Sequence, residues 1–321
     1  MTNPWVQSAR LRTLPLAFSS VLLGTSLANL YTPIHWDLFV FVLLIATGLQ
    51  ILSNYANDYG DFVKGTDQKA LRSDRMLSAE KIQPSKMKRV LQFLSLGILG
   101  LGVFALLYAY RNYGLSSSTL WGLFFCGILA IAAAVFYTVG KKAYGYSGLG
   151  DVSVIVFFGL LPVVGIGLLM GLEPTLSTWM GGLGVGLLSA AVLNINNYRD
   201  LISDKKSGKI TVAVKLGPKH TLNYQRYLLI LGYLGVFVSF AFYLYQILNI
   251  SDSSYYIEMF LLFGVFSPSA VFLSRYYSEM RTLSPGDRDG LNVQLKRVSL
   301  TVFLLCFVHF GLSLYVTSMF R

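Results

Sequence analysis

Two stretches of this sequence carry carboxylate and amide side chains at a spacing that could bind metal ions. The first holds Asn57, Asp58, Asp61 and Asp67, and the second holds Asn196, Asn197, Asp200 and Asp204. Residues four apart share a helix face, so each stretch predicts a row of oxygen ligands. Clustered carboxylates repel one another unless a cation lies between them, and all-oxygen ligands suit hard ions. We therefore expect Mg²⁺ rather than zinc.

The two stretches form an internal repeat. Asn57–Asp61 aligns with Asn196–Asp200 at a separation of 139 residues. Mg²⁺ usually combines a few carboxylates with substrate phosphates, so two facing rows would hold about two ions with a diphosphate between them. We expect the first helix to have ended by Gly65, so that a loop brings Asp67 back to its row. The repeat also predicts two related four-helix halves.

Basic side chains lie close to these rows in the sequence. Those predicted to bind the diphosphate are Arg72, Arg75, Lys141, Lys142, Lys205 and Lys209. Guanidinium groups bind phosphate oxygens bidentately, and lysines add positive charge. Isolated acids elsewhere, such as Asp287 and Asp289, are expected to be solvated.

The composition indicates a membrane protein. The chain is 54% hydrophobic and 13% charged, with a mean hydropathy of +0.58. Soluble domains have about 25% charged residues, and disordered chains have low hydrophobicity, so both classes are excluded. The net charge of +11 lies between long apolar runs. It therefore reflects membrane topology, and we expect contact with membrane lipid and no nucleic-acid partner.

Nine apolar runs are long enough to cross a bilayer, for which roughly 20 residues are needed. They are 14–30, 36–56, 90–110, 119–139, 152–171, 176–197, 227–247, 255–274 and 298–319. With nine spans, all but two of the 26 Lys and Arg residues fall on the side of the N-terminus. Cytoplasmic loops collect these residues, so the N-terminus is predicted inside and the C-terminus outside. The loops 61–86 and 200–220 would form a cytoplasmic cap over a single membrane domain, 1–321.

The motifs resemble those of the UbiA superfamily of intramembrane prenyltransferases. That family carries Asn-Asp-x-x-Asp-x-x-x-Asp and Asp-x-x-x-Asp at the cytoplasmic ends of spans 2 and 6 of nine. The similarity covers nearly the whole chain and is greatest to the branch that makes menaquinone. The segments that carry it are Trp5–Pro15, Asn57–Asp67, Tyr137–Asp151 and Asn196–Gly217. The chain departs from that branch after the first motif, where Arg75-Met76-Leu77 replaces the usual Arg-Gly-Met.

This resemblance implies an all-α bundle and a Mg²⁺-dependent transferase in the cytoplasmic membrane of a bacterium. The implied reaction transfers a polyprenyl group from polyprenyl diphosphate to 1,4-dihydroxy-2-naphthoate, with loss of CO₂, giving demethylmenaquinol. The first motif matches Asn57, Asp61 and Asp67, and the second matches Asp200 and Asp204 behind Asn196 and Asn197. Arg75, Lys141 and Lys142 match basic positions near the diphosphate. Tyr137 matches an aromatic residue near the reacting carbon, and Asp58 is the candidate general base.

Two alternatives remain open from the sequence. The same chemistry could act on another aromatic acceptor, such as 4-hydroxybenzoate, homogentisate, a chlorin or a haem. A cation-coupled transporter would also place acids in repeats, although such sites usually lie at the membrane midplane in inverted repeats. Here the repeat spans an even number of helices and is parallel, with its acids at one surface. This arrangement favours the transferase.

Overall fold

The computed structural model describes residues 3–66, 75–250 and 255–320, and within these ranges the regular structure is helical. The elements are α1 (Pro4–Ala9), a 3₁₀ turn (Leu11–Thr13), α2 (Leu14–Ala28), α3 (Trp36–Val63), α4 (Pro84–Asn112), α5 (Ser117–Phe136), a 3₁₀ turn (Tyr144–Tyr146), α6 (Gly150–Ile155), a π turn (Val156–Leu160), α7 (Leu161–Leu169), α8 (Leu176–Ser207), α9 (Val212–Ile250), α10 (Tyr255–Met280) and α11 (Arg288–Phe320). The prediction of an all-α chain is confirmed for this part of the sequence.

Eight helical runs of the described residues are long and apolar enough to cross a membrane. They are Pro4–Ala28, Trp36–Val63, Pro84–Asn112, Ser117–Phe136, Gly150–Leu169, Leu176–Ser207, Val212–Tyr245 and Arg288–Tyr315. Each overlaps one predicted span. The remaining predicted span, 255–274, lies within α10, which is 26 residues long but is not one of the eight. The count of nine therefore stays a prediction.

The predicted loop boundaries need correction, because two helices extend further than their apolar runs. Helix α8 continues to Ser207, and α9 begins at Val212, so most of 200–220 is helical. Gly208 ends α8 in the left-handed conformation, and Lys209 N–H donates to the carbonyl of Asp204 at 2.9 Å. Polar helical turns outside the bilayer carry no hydropathy signal, which is why hydropathy placed the helix end too early.

The first acidic row also lies on a helix that outlasts its apolar run. Helix α3 continues to Val63, seven residues past the predicted span, and Gly65 follows with a φ of +68°. The helix has therefore ended before Gly65, as predicted from the position of Asp67. Asp67 itself lies outside the described residues.

The main hydrophobic core lies between α2, α8, α9 and α11, with Leu23, Leu188, Phe240 and Val302 among its buried side chains. A second core joins α3 to the start of α4 through Leu52 and Met87. The acidic rows on α3 and α8 thus belong to different packing units. The space between these units is where a substrate could lie.

The close packing of α8 on α9 depends on glycine. A Cβ built on Gly184 would lie 2.8 Å from the carbonyl oxygen of Gly232, which is closer than real contacts allow. In the membrane, small residues of this kind let helix backbones approach closely. This approach holds the second acidic row at a fixed place relative to the rest of the bundle.

We expect Gly184→Val to lower the free energy of unfolding by about 1–3 kcal/mol, because overpacking forces α8 and α9 apart. The measurement is the midpoint of thermal unfolding in detergent. Gly97→Ala is the matched control. Gly97 is exposed on α4 with no atom near its added Cβ, so this variant should be neutral or slightly stabilising. Equal losses in both variants would contradict the role of Gly184.

Candidate active site

A cavity of about 350 Å³ lies between the two packing units. Its wall is mostly apolar and comes mainly from α2 to α8, with Phe157 and Phe158 contributed by the π turn between α6 and α7. Arg10 and Thr13, before α2, and Leu295 of α11 complete it. Ser20 on α2 donates a hydrogen bond to the carbonyl of Phe158 and so satisfies a backbone group at this irregular turn. The cavity could accept a long apolar group along most of its length.

Asn57 on α3 and Asn196 on α8 both line this cavity. These are the first residues of the two acidic rows, so the fold brings the rows to a common space. The Asn57 side-chain oxygen is buried with no hydrogen-bond partner, whereas the Asn196 oxygen accepts from Arg199 at 2.6 Å. Asp61 and Asp200 lie one helical turn beyond these amides. An unpartnered buried oxygen is costly, and a bound cation would relieve that cost.

The first acidic row is neutralised by arginine. Asp58 is 2% exposed and pairs with Arg10 at 2.8 Å and with Arg75 at 2.5 Å. Arg75 also pairs with Asp61 at 3.3 Å. Ser8 donates a further hydrogen bond to Asp58 at 2.6 Å. Buried carboxylates need such partners, because uncompensated charge in a low-dielectric site is strongly destabilising.

The second acidic row is neutralised mainly from its own helix. Arg199 donates to both carboxylate oxygens of Asp200, at 3.1 and 2.8 Å, and to the side-chain oxygen of Asn292 on α11 at 2.6 Å. Asp204 is buried one turn further along α8, and Asn197 is buried on a neighbouring face. Arg199 occupies the place that Gly60 takes in the first half of the repeat.

Tyr146 joins three segments at the ends of the helices. Its hydroxyl group donates to Asp61 at 2.7 Å and is also hydrogen-bonded to Thr66 at 2.8 Å. Its carbonyl accepts from the N–H of Ile210, just after α8. The ring contacts the ammonium groups of Lys64 and Lys209. Segments from both halves of the repeat therefore meet at one aromatic side chain.

Positive charge is concentrated beside Asp61. The Lys209 ammonium lies 3.8 Å from the Asp61 carboxylate, and the Lys64 ammonium lies 3.7 Å from the centre of the Tyr146 ring. Burial lowers the pKa of Lys64, Asp61 opposes this shift, and the charge of Lys209 adds to it. An anionic ligand placed here would relieve the repulsion between the two lysines.

The fold brings some of the predicted basic residues to the acidic rows and leaves others apart. Arg75 and Lys209 pair with the first row. Lys141, Lys142 and Lys205 are exposed, and no ion pair joins them to a carboxylate in the described ranges. Arg72 and Asp67 lie outside the described residues, so their predicted roles stay untested.

The residues present fit a hard cation in donor type. Asn57 and Asn196 line the cavity, and Asp61 and Asp200 follow them by one helical turn. Amide and carboxylate oxygens are the ligands that Mg²⁺ prefers. In the described part of the chain, no group of three or more His, Cys, Asp or Glu side chains is arranged so that it could hold a metal ion by itself. The carboxylates are instead paired with Arg75, Arg199 and Lys209. A cation binding here would have to share or displace these partners.

The two predicted catalytic residues lie in different surroundings. Tyr137 lines the cavity, and its ring packs edge-on against that of Tyr144 at 5.4 Å between centroids. Asp58 is absent from the described residues that line the cavity, and both its oxygens accept hydrogen bonds. This placement favours a positioning role for Asp58 over proton transfer.

Sequence reasoning missed several residues of this site: Ser8, Arg10, Lys64, Tyr146 and Arg199. Ser8 and Arg10 lie in the segment Trp5–Pro15, and Tyr146 lies in Tyr137–Asp151, both of which carried the resemblance to the UbiA superfamily. Arg199 stands inside the second motif. The available signal was therefore the similarity of these segments, because residue spacing alone does not pair distant parts of a chain.

Comparison with known proteins identifies the class. Residues 17–284 match the UbiA prenyltransferase family, and the chain belongs to that family of integral membrane proteins. The Aeropyrum pernix UbiA homologue has the same fold, with a TM-score of 0.61 at 13% identity over 99% of this chain and 100% of that one. An Archaeoglobus fulgidus UbiA homologue bound to GPP and Mg²⁺ also has a TM-score of 0.61, at 15% identity over 96% of this chain and 98% of its own.

Curated relatives share more sequence. A Haemophilus influenzae protein named 1,4-dihydroxy-2-naphthoate octaprenyltransferase is 43% identical over 66% of this chain and 69% of its own length. The protein of the same name from Escherichia coli is 42% identical over 71% of this chain and 73% of its own. The family predicted from the two acidic rows is thus confirmed.

We expect Tyr146→Phe to loosen the junction of the three segments. It removes the hydrogen bonds to Asp61 and Thr66, each worth about 1 kcal/mol, so trypsin cleavage after Lys205, Lys206 or Lys209 should accelerate about 30-fold. The measurement is limited proteolysis in detergent, followed by mass spectrometry. Tyr227→Phe, at an exposed tyrosine of α9, is the control. Unchanged cleavage in Tyr146→Phe would show that the ring alone holds the junction.

Proposed function

We propose that this chain transfers a polyprenyl group from polyprenyl diphosphate to 1,4-dihydroxy-2-naphthoate, with loss of CO₂, in menaquinone synthesis. The observation that carries the proposal is that Asn57 and Asn196, one from each acidic row, line the same mostly apolar cavity. The names of the bacterial relatives that are 36–43% identical support the acceptor. The product is demethylmenaquinol.

The diphosphate lies at the polar end of the cavity, between α3 and α8. Asn57, Asp61, Asn196 and Asp200 would hold Mg²⁺, with Asp67, Asn197 and Asp204 completing the predicted ligand set. When bound, Mg²⁺ supplies positive charge that stabilises the departing diphosphate. Arg75 and Lys209 pair with carboxylates in this structure, and they contact the diphosphate oxygens in the complex. The predicted bases Arg72, Lys141, Lys142 and Lys205 contribute further charge at the same end.

The prenyl chain occupies the apolar part of the cavity. Ionisation breaks the allylic C–O bond, and its electron pair leaves with the diphosphate. The aromatic ring then supplies the electrons for a new C–C bond, and the bond to the carboxyl carbon breaks, which returns its electrons to the ring. The net products are the prenylated diol, CO₂ and diphosphate. The apolar walls exclude water, which would otherwise trap the allylic cation.

Tyr137 faces the reacting carbon from the cavity wall. An aromatic face stabilises a nearby cation by about 0.5–2 kcal/mol when the site is desolvated. Asp58 holds neighbouring side chains and does not transfer a proton. Its two oxygens hold Ser8, Arg10 and Arg75, so it acts by positioning those side chains.

The chain crosses the bacterial cytoplasmic membrane nine times: the eight long apolar helical runs each form one span, and α10 forms the additional one. Its N-terminus is cytoplasmic and its C-terminus lies outside. Two four-helix halves, related by the repeat, precede the ninth helix. The segments that meet at Tyr146 form part of a cytoplasmic cap over the diphosphate. The concentration of Lys and Arg at this end supports that orientation.

We expect Asp200→Asn to reduce product formation by about 100-fold or more, because a charged ligand at the developing diphosphate charge is lost. The assay combines purified protein, 1,4-dihydroxy-2-naphthoate and farnesyl diphosphate with and without Mg²⁺, and detects the prenylated, decarboxylated product by mass spectrometry. Asp289→Asn, at an exposed acid in the first turn of α11, is the matched control and should retain activity.

Other outcomes of this assay discriminate between the alternatives. Product from 4-hydroxybenzoate but not from the naphthoate would overturn the acceptor and retain the chemistry. If no aromatic acceptor leads to release of diphosphate, and the protein conducts cations in liposomes, a transporter would be favoured. Activity independent of Mg²⁺ would contradict the assigned ligands.

We expect a C-terminal alkaline phosphatase fusion to be active and a C-terminal green fluorescent protein fusion to be dark in a bacterial host. An odd number of spans with a cytoplasmic N-terminus places the C-terminus outside, where alkaline phosphatase folds. Fusions after Ser207, at the end of α8, should show the opposite pattern. A fluorescent C-terminal fusion would imply an even number of spans.

A further inference from the structure

Among the described residues that line the cavity, Arg10 is the one Lys, Arg, Asp or Glu. It follows α1 in the left-handed conformation, with a φ of 49°, where the chain turns into the 3₁₀ segment before α2. A non-glycine residue rarely adopts this conformation, and such residues often serve function. The turn directs a cation from the N-terminal segment to a cavity formed by later helices.

A buried carboxylate holds Arg10 in place. The Arg10 Nη2 donates to Asp58 Oδ1 at 2.8 Å, Arg75 donates to the same oxygen, and Ser8 donates to Oδ2. Within the described ranges, the bond to Asp58 is the one hydrogen bond that the Arg10 guanidinium donates. An arginine side chain has five N–H donors in a planar fork, so donors remain for a second planar anion.

Polar side chains from α3 line the same wall. Gln50 donates to the hydroxyl of Thr13 at 2.7 Å, and Asn54 donates to that hydroxyl at 3.1 Å and to the carbonyl of Ala9 at 2.8 Å. The Gln50 side-chain oxygen is left without a hydrogen-bond partner, although the residue is only 6% exposed. A buried acceptor in this state fits a ligand that brings a donor.

We propose that Arg10 and Gln50 form the acceptor subsite. Arg10 pairs with the carboxylate of a hydroxylated aromatic acid, and the Gln50 oxygen accepts a hydrogen bond from a ring hydroxyl. Asp58 is the positioning residue that orients the guanidinium. This inference rests on the proposed function, since it assigns the place of the acceptor in that reaction.

Arg10 and Arg75 donate to the same oxygen of Asp58, so the acceptor carboxylate would lie next to the diphosphate, and Gln50 would draw the ring away from it. Asn54 and Gln50 lie about one and two helical turns from Asn57, on the side away from Asp61, with 3.6 residues per turn. The diphosphate belongs near Asp61, where Arg75 and Lys209 lie. A ring bound at Gln50 would therefore lie deeper in the cavity than the diphosphate, beside the prenyl chain.

The test measures steady-state kinetics of the full chain in detergent, with Mg²⁺ and saturating farnesyl diphosphate. 1,4-Dihydroxy-2-naphthoate is the substrate, and 1,4-naphthalenediol, which lacks the carboxylate, is the competitive inhibitor. Arg10→Met should raise the KM for the acid about 10- to 100-fold, as expected for a lost charge-assisted hydrogen bond. The kcat should stay within about twofold of the wild-type value, because the lost contact stabilises the ground state and the transition state equally. The Ki of the diol should also stay within about twofold, because the diol has no carboxylate to contact Arg10.

Gln50→Leu provides the complementary result. Both compounds carry ring hydroxyls, so this variant should raise the KM of the acid and the Ki of the diol in parallel, about fivefold. Arg12→Met is the matched control for Arg10→Met, since Arg12 is a neighbouring exposed arginine outside the cavity wall. Arg10→Lys keeps the charge but loses the planar fork, and it should give a smaller rise in KM for the acid alone. It replaces Arg10→Met if that variant does not fold.

The outcomes separate this inference from the proposed function. If the wild-type protein makes no product from the naphthoate, the proposed function fails. If the wild-type protein is active and Arg10→Met changes the KM of the acid and the Ki of the diol equally, the carboxylate contact is overturned. A raised KM for farnesyl diphosphate, with an unchanged KM for the acid, would assign Arg10 to the diphosphate and would overturn the proposal.

Discussion

The neutralisation of Asp58 is the constraint on which the rest of the site depends. A carboxylate that is 2% exposed at the end of a membrane helix cannot remain charged without cationic partners. Arg10 comes from the N-terminal segment and Arg75 from the loop before α4, so one buried charge fixes two distant parts of the chain on α3. Removing the carboxylate would leave two buried guanidinium groups close together. The cavity wall and the first acidic row thus share one electrostatic centre.

Each acidic row is held in a different way, although the two rows derive from one repeat. Arg199 neutralises Asp200 from within α8, whereas Asp61 depends on Arg75, Tyr146 and Lys209 from other segments. The difference follows from Gly60, which replaces Arg199 in the alignment. A Cβ on Gly60 would lie 2.6 Å from the carbonyl carbon of Thr138, so the chain after α5 occupies the space that an arginine would need. Packing has therefore made the first half of the repeat dependent on long-range partners.

These ion pairs also balance the charges within the site. Arg75 and Lys209 lie on carboxylates, and the Lys64 ammonium lies on the ring of Tyr146. In the proposed function, Arg75 and Lys209 would exchange these carboxylates for the diphosphate, and the two acidic rows would hold Mg²⁺. The exchange replaces one set of charge pairs by another, so it needs little net change in buried charge. Arg10 stays with Asp58 throughout and is available for the acceptor.

The sequence by itself determined the class of the protein, because the signals for it are local. Apolar runs, the side on which Lys and Arg collect, and the four-residue spacing of Asn57 with Asp61 are all visible without a fold. From these signals we predicted a helical membrane domain and the family, which the comparisons confirmed. Only the tertiary structure decided which side chains meet: Arg10 with Asp58, Lys209 with Asp61, and Tyr146 with three segments. The physical reason is that periodicity identifies the face of a helix but not its neighbour. Pairing across 48 or more residues depends on how the helices pack.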